Sequence, residues 1–240
     1  MSDDDDDGLI HRLLGDKEIR AAFLKKLAAE TTKVEVEALG GLALVRQAEA
    51  TARVAELSAT TLQREHDYDN AGDAYHHVYQ FVSEVTGSSV NSCIDRLSRW
   101  SRMDPTCDIT VVFNSPGGAV IPGMALFDFL LSLRTDHRLT TVALGHAASM
   151  AGILLQAGAH RVMGREAWLL IHEISFMAVG KIGDVEDTTD WAKRICERVV
   201  QIFADRSKLS AKQIETRWKR KDWWLSSDEC LKLGFVDEVR

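Results

Sequence analysis

Three short segments of this 240-residue chain bear groups suited to acyl-transfer chemistry, and each follows an apolar run. The first is Gly145-His146-Ala147-Ala148-Ser149-Met150-Ala151-Gly152, read as a strand end opening into a helix. A serine in that place either caps the helix with its hydroxyl or stands exposed as a nucleophile, aided by the helix dipole and the next N–H. Its flanks lack the glycines two residues before and after the serine that an α/β-hydrolase elbow requires, which disfavours that fold. The second is His172, which ends the run Trp168-Leu169-Leu170-Ile171 and is there either held by a backbone partner or free to act as a base. The third is Asn114-Ser115-Pro116-Gly117-Gly118, between an apolar run and a helix. Its glycine pair either makes a tight turn or aims N–H groups at a substrate oxygen. Each signal alone is ambiguous, but all three fall where α/β sheets gather ligands.

The elements that must position these groups follow from hydrophobic periodicity. Short apolar runs predict strands over 78–82, 109–113, 140–144, 161–163, 168–171 and 235–239. Amphipathic segments predict helices over 88–103, 121–134, 149–157, 184–207, 211–218 and 226–233. Ser210 with Gln213 and Ser226 with Glu229 read as capping boxes. The alternation is that of βα units wound about a sheet, so residues 74–240 are expected to form one α/β domain. Residues 1–73 differ, being rich in Ala, Leu, Glu, Lys and Arg. They predict an acidic, helical arm of two helices, 9–30 and 42–64, punctuated by Gly40 and Gly41, with a linker over 66–73. The arm either packs on a partner or the main domain, or is solvated.

The totals narrow the function classes. With 29 basic and 36 acidic residues the formal charge is −7, and the basic residues form no stripe, which argues against nucleic acid. Cys93, Cys107, Cys196 and Cys230 are far apart, with no C-x-x-C pair, so buried reduced thiols are expected and a zinc or redox site is not. An acidic run, Asp3 to Asp7, stands where a secretory signal would be basic, and no apolar run is long enough to span a membrane. A cytoplasmic protein is the expectation, with no membrane partner.

The motifs N-S-P-G-G at Asn114 to Gly118, G-M-A-L-F-D at Gly123 to Asp128, G-H-A-A-S-M at Gly145 to Met150, L-L-Q-A-G-A at Leu154 to Ala159 and I-H at Ile171 and His172 resemble the proteolytic subunit of the Clp protease. The closing K-D-W-W-L-S-S-D-E-C-L-K-L-G-F-V-D-E-V, from Lys221 to Val239, extends the resemblance to about two thirds of the chain. It implies a Clp protease and crotonase-like α/β fold with a helical handle over 184–207, preceded here by the helical arm. It also implies a serine endopeptidase with Ser149 as nucleophile, His172 as base, Asp222 as orienting acid, and the N–H groups of Gly118 and Met150 as oxyanion donors. No metal or organic cofactor is implied. His146, where the family commonly has glutamine, is read as a neighbour of the site and not a second base. The expected partners are a protein or peptide substrate and further copies of the chain in a ring. On the handle, Trp191, Ile195, Val199, Ile202 and Phe203 share a face that suits either core or ring contact.

Three departures from the family point to a specialised relative. The helical arm replaces a short pore-lining loop; Thr110 and Val112 stand where tyrosines help dock the partner ATPase; and Glu173-Ile174-Ser175-Phe176-Met177-Ala178 replaces a proline and a glycine-rich turn. Both pore lining and docking to a Clp ATPase are therefore disfavoured. The resemblance extends to bacteriophage head-maturation proteases, which implies capsid or scaffold proteins as substrates and the host cytoplasm or prohead as location. Two other readings compete: a crotonase-type acyl-CoA enzyme, which holds an enolate with similar N–H donors but needs no such serine, histidine and aspartate, and a non-catalytic assembly subunit.

Overall fold

The computed structural model describes residues 17–240, and the chain divides between Tyr68 and Asp69 into two units. The expected helical residues 9–16 lie outside the described part. In the first unit, α1 (Lys17–Ala71) is one continuous helix, which corrects the expectation of two helices and shortens the expected linker. Glycines at 40 and 41 each cost about 1 kcal/mol relative to alanine in a helix, but strong helix formers on both sides and the absence of proline leave no competing structure. Five threonines are accommodated by returning their hydroxyls to carbonyls four residues earlier, as Thr31 does to Leu27 at 2.9 Å. None of the residues of α1 is buried. Apolar side chains such as Phe23, Leu24, Val34 and Val36 lie at spacings that point around the helix, not along one stripe.

The second unit is an α/β domain around one seven-stranded, mostly parallel sheet. Its strands are β1 (Val78–Phe81), β2 (Ile109–Ser115), β3 (Leu139–Ala148), β4 (His160–Met163), β5 (Trp168–Ile171), β6 (Trp223–Ser226) and β7 (Glu238–Val239). Between them run α2 (Gly87–Met103), α3 (Val120–Asp136), α4 (Met150–Leu155), α5 (Ile182–Asp205), α6 (Ala211–Trp218) and α7 (Ser227–Leu233). The expected capping boxes at Ser210 and Ser226 are present, and Thr86 with Ser89 forms another at the start of α2. The core is continuous: Phe81, Phe113, Leu139, Leu154, Phe203 and Phe235 are all fully buried.

Strand β3 is the organising element, and it is longer than its apolar run suggested. Its first half pairs with β4, Thr140 to Ala143 against His160 to Met163, while its second half pairs with β5, His146 to Ala148 against Trp168 to Leu170. The fork falls at Gly145, whose φ of 70° is poorly tolerated with a side chain, and a Cβ there would lie 2.7 Å from Asn114 Oδ1. Strand β6, which sequence periodicity missed, pairs antiparallel with β5. Four residues ending in a helix cap carry too little alternation to be read as a strand, and pairing alone defines them.

The handle face divides. Val199, Ile202 and Phe203 are buried and Ile195 packs on the core, whereas Trp191 is 50% exposed. At the far edge of the sheet Arg161, 5% exposed, donates to both oxygens of Asp237 at 2.6 and 3.0 Å and to Gln156 Oε1 at 2.8 Å. Burial raises the Asp237 carboxyl, but hydrogen bonds from Arg161 and the charges of Arg161 and Arg206 outweigh it and hold the group below its ordinary value. Cys93, Cys107 and Cys230 are buried free thiols, as expected, but Cys196 is only half-buried. Burial pushes the Cys93 and Cys230 thiols up to about 12.

Candidate active site

Parallel pairing of β3 with β5 carries the serine and the histidine to one edge of the sheet. The last recorded pair is Ala148 with Leu170, and the next N–H, that of Ser149, donates to the Leu170 carbonyl at 2.9 Å. His172 follows two residues after Leu170, just beyond the end of β5. Antiparallel pairing sets Ile171 against Trp223, so His172 directly follows and Asp222 directly precedes the last pair of that ladder.

Ser149 occupies the N-cap of α4 with φ 54° and ψ −121°, a region that side-chain-bearing residues avoid. Its hydroxyl makes no capping bond. The tight strand-to-helix turn thus presents the Oγ without using it structurally. What crowds the turn is Gly117, at φ 87°, where a Cβ would lie 2.5 Å from the Ala148 carbonyl and 2.8 Å from Ser149 Cβ. Gly118, at φ 144°, is equally intolerant, since a Cβ would strike the Val85 carbonyl. The loop is pinned by Val85 N–H to Gly117 O and Ala119 N–H to Val85 O, each 2.7 Å, and by Ser115 Oγ, which accepts from Gly117 N–H at 3.2 Å and donates to Ser83 O at 2.6 Å. Between those bonds the N–H of Gly118 has no acceptor among the described residues, and neither has that of Met150, in the first turn of α4.

Gly118, Ser149, Met150 and His172 line one cavity of about 230 Å³, walled otherwise mainly by Val120, Ile153, Ile174, Val199 and Phe203. Asp222 is not in it. It is exposed and shares with His172 a second, more open cavity lined also by Glu173, Arg220 and Lys221. His172 Nδ1 lies 2.6 Å from the carbonyl oxygen of Glu173. A carbonyl can only accept, so Nδ1 carries the proton and Nε2 of the neutral ring is the bare nitrogen. No hydrogen bond joins His172 to Ser149 or to Asp222 among the described residues. His146, on β3, pairs with Trp168 of β5 and does not line the cavity. Among the described residues no three His, Cys, Asp or Glu side chains could hold a metal ion, and no helix of theirs is long and apolar enough to cross a membrane.

Sequence reasoning missed the hydrogen bonds by which Ser115 pins the loop and the contact of Glu173 with Arg220. Unusual dihedrals are expected at the glycine pair, whereas the reach of Glu173 to a residue 47 positions away has no local sequence signal.

The mixed α/β architecture around a mostly parallel sheet is consistent with the fold of Clp-type peptidases, and the sequence comparisons point to the same family. The Clp protease family model matches residues 63–240. The chain is 32% identical over 170 residues to the ATP-dependent Clp protease proteolytic subunit of Streptococcus suis, covering 68% of this chain and 83% of that protein. It is 30% identical over 159 residues to the subunit of the same name from Bacteroides fragilis, covering 65% and 75%, and 32% identical over 170 residues to that of Streptococcus gordonii. The chain belongs to the Clp protease family, a family of peptide-bond hydrolases.

Proposed function

We propose that this protein is a serine endopeptidase acting through Ser149, His172 and Asp222, with the N–H groups of Gly118 and Met150 as oxyanion donors. The observation that carries this reading is the Ser149 turn: a hydroxyl left unbonded by a strained backbone, in one cavity with an imidazole and two unengaged N–H groups. In the reaction, bare Nε2 of His172 takes the Ser149 proton as Oγ attacks the substrate carbonyl carbon. Negative charge gathers on the carbonyl oxygen, where each N–H donor is worth roughly 3 kcal/mol in the transition state. The imidazolium then gives its proton to the departing amine as the peptide C–N bond breaks, and water repeats the sequence on the acyl-enzyme. Asp222, one pairing step from His172, stabilises the imidazolium once the ring turns from the Glu173 carbonyl.

At the level of the whole chain, residues 1–73 serve as a targeting or assembly arm and 74–240 as the peptidase domain. Exposed Phe176, Met177, Val179, Ile182 and Trp191, around the start of α5, suit contact with further copies in a ring. Capsid or scaffold proteins are the proposed substrates, cut in the host cytoplasm or prohead. The test is labelling by a fluorophosphonate: wild type takes the label and Ser149→Ala does not. A crotonase-type enzyme or an assembly subunit would leave Ser149 unlabelled. Incubation of both proteins with capsid, scaffold and casein then separates a dedicated maturation enzyme from a general protease.

A further inference from the structure

Glu173 touches both segments that bear on the imidazole. Its carbonyl accepts from His172 Nδ1 at 2.6 Å, and its carboxylate Oε2 accepts from the N–H of Arg220 at 3.1 Å, 47 residues further along the chain. Arg220 sits in a turn closed by Lys221 N–H to Trp218 O at 2.9 Å. Lys219, at φ −54° and ψ 113°, followed by Arg220 at φ 54°, gives that turn the geometry of type II, whose third position favours glycine. An arginine there is strained, and the turn itself leaves its N–H without an acceptor; the Glu173 carboxylate supplies one. Asp222 stands two residues beyond, immediately before β6.

We propose that Glu173 is a positioning residue: a strap whose carboxylate holds the Arg220 turn, and with it Asp222, in register with His172. This rests on the serine-peptidase reading of the site. The charged groups around the imidazole are Glu173 itself and, on the facing segment, Arg220, Lys221 and Asp222. What the strap requires is an acceptor, not a charge, because its partner is a neutral backbone N–H. Glutamine at this position therefore suffices and alanine does not. Without the strap the turn relaxes toward ordinary dihedrals and the lead-in to β6 moves, taking Asp222 out of line.

The experiment compares wild type, Glu173→Ala and Glu173→Gln as full-length chains, with Ser149→Ala as the labelling control. Fluorophosphonate labelling of Ser149 should slow roughly tenfold in Glu173→Ala through the limiting rate, at unchanged half-saturating probe concentration, and stay within about twofold in Glu173→Gln. Amide exchange of residues 219–222, followed in the same proteins, should quicken in Glu173→Ala and not in Glu173→Gln. Unchanged rate and exchange in Glu173→Ala, or equal impairment of both variants, overturns the strap. Absence of label on Ser149 in wild type defeats the serine reading instead, and amide exchange then decides the strap alone, unchanged exchange in Glu173→Ala overturning it.

Discussion

Ser149 combines two features that a mere helix cap does not: backbone angles disfavoured for any side chain, and a hydroxyl bonded to nothing in its own turn. Removing that hydroxyl should therefore abolish peptidase activity while leaving the melting temperature unchanged, because alanine meets the same backbone strain and no hydrogen bond within the turn is lost. His172→Ala should lose roughly 10⁴-fold in kcat or more, since no other group in the cavity can take the proton. Asp222→Asn should lose less, about 100-fold, because the Glu173 carbonyl already fixes the imidazole tautomer and only stabilisation of the cation is forfeited. Steady-state kinetics on one peptide substrate would rank the three. Gly117→Ala makes a separate test: its Cβ would press on the Ala148 carbonyl and Ser149, and it should cost about 2 kcal/mol of stability in denaturant melts and most of the activity.

Elements with strong internal patterning were legible in the sequence. Strand β2 and helices α2, α3 and α6 lie within a residue or two of their expected bounds, because apolar periodicity and the punctuating Gly, Pro and Ser residues agree there. The serine and histidine were legible for the same reason, each standing at the end of an apolar strand. Strand β6 was not, since its four residues become a strand only through pairing with β5, and with it went the register that brings Asp222 toward His172. The role of Glu173 was hidden more deeply, for it depends on a left-handed arginine in a distant turn. Nor was the continuity of α1 visible, where Gly40 and Gly41 break the expected pattern but not the helix. At this scale the pairing of β4 with β7 also yields a prediction. Asp237→Asn leaves the buried Arg161 guanidinium without its anion and should destabilise the domain by about 3 kcal/mol at neutral pH, read from urea melts.

For the molecule as a whole, the folded value of Asp237 lies below its unfolded one, so its contribution to stability is complete above the unfolded carboxylate range and fades as pH falls through the folded value. Glu238 acts in the same sense: hydrogen bonds from Arg240 and His160 lower it to about 2, so its share is lost between about 4.5 and 2. Thermal melts across that window should show wild type losing stability with acid, and Asp237→Asn showing a shallower decline. No residue of the buried core precedes Phe81, so limited proteolysis within residues 17–68 should leave a folded fragment that still takes the fluorophosphonate. One strand then links the nucleophile to the remote flank of the sheet. Because β3 belongs to both ladders, it joins the rungs it shares with β4 to the Ser149 turn through the kink at Gly145. An acyl group that anchors Ser149 also steadies rungs it never touches, so the acylated protein should guard the amides of Thr140 to Ala143 against exchange more strongly than the free one.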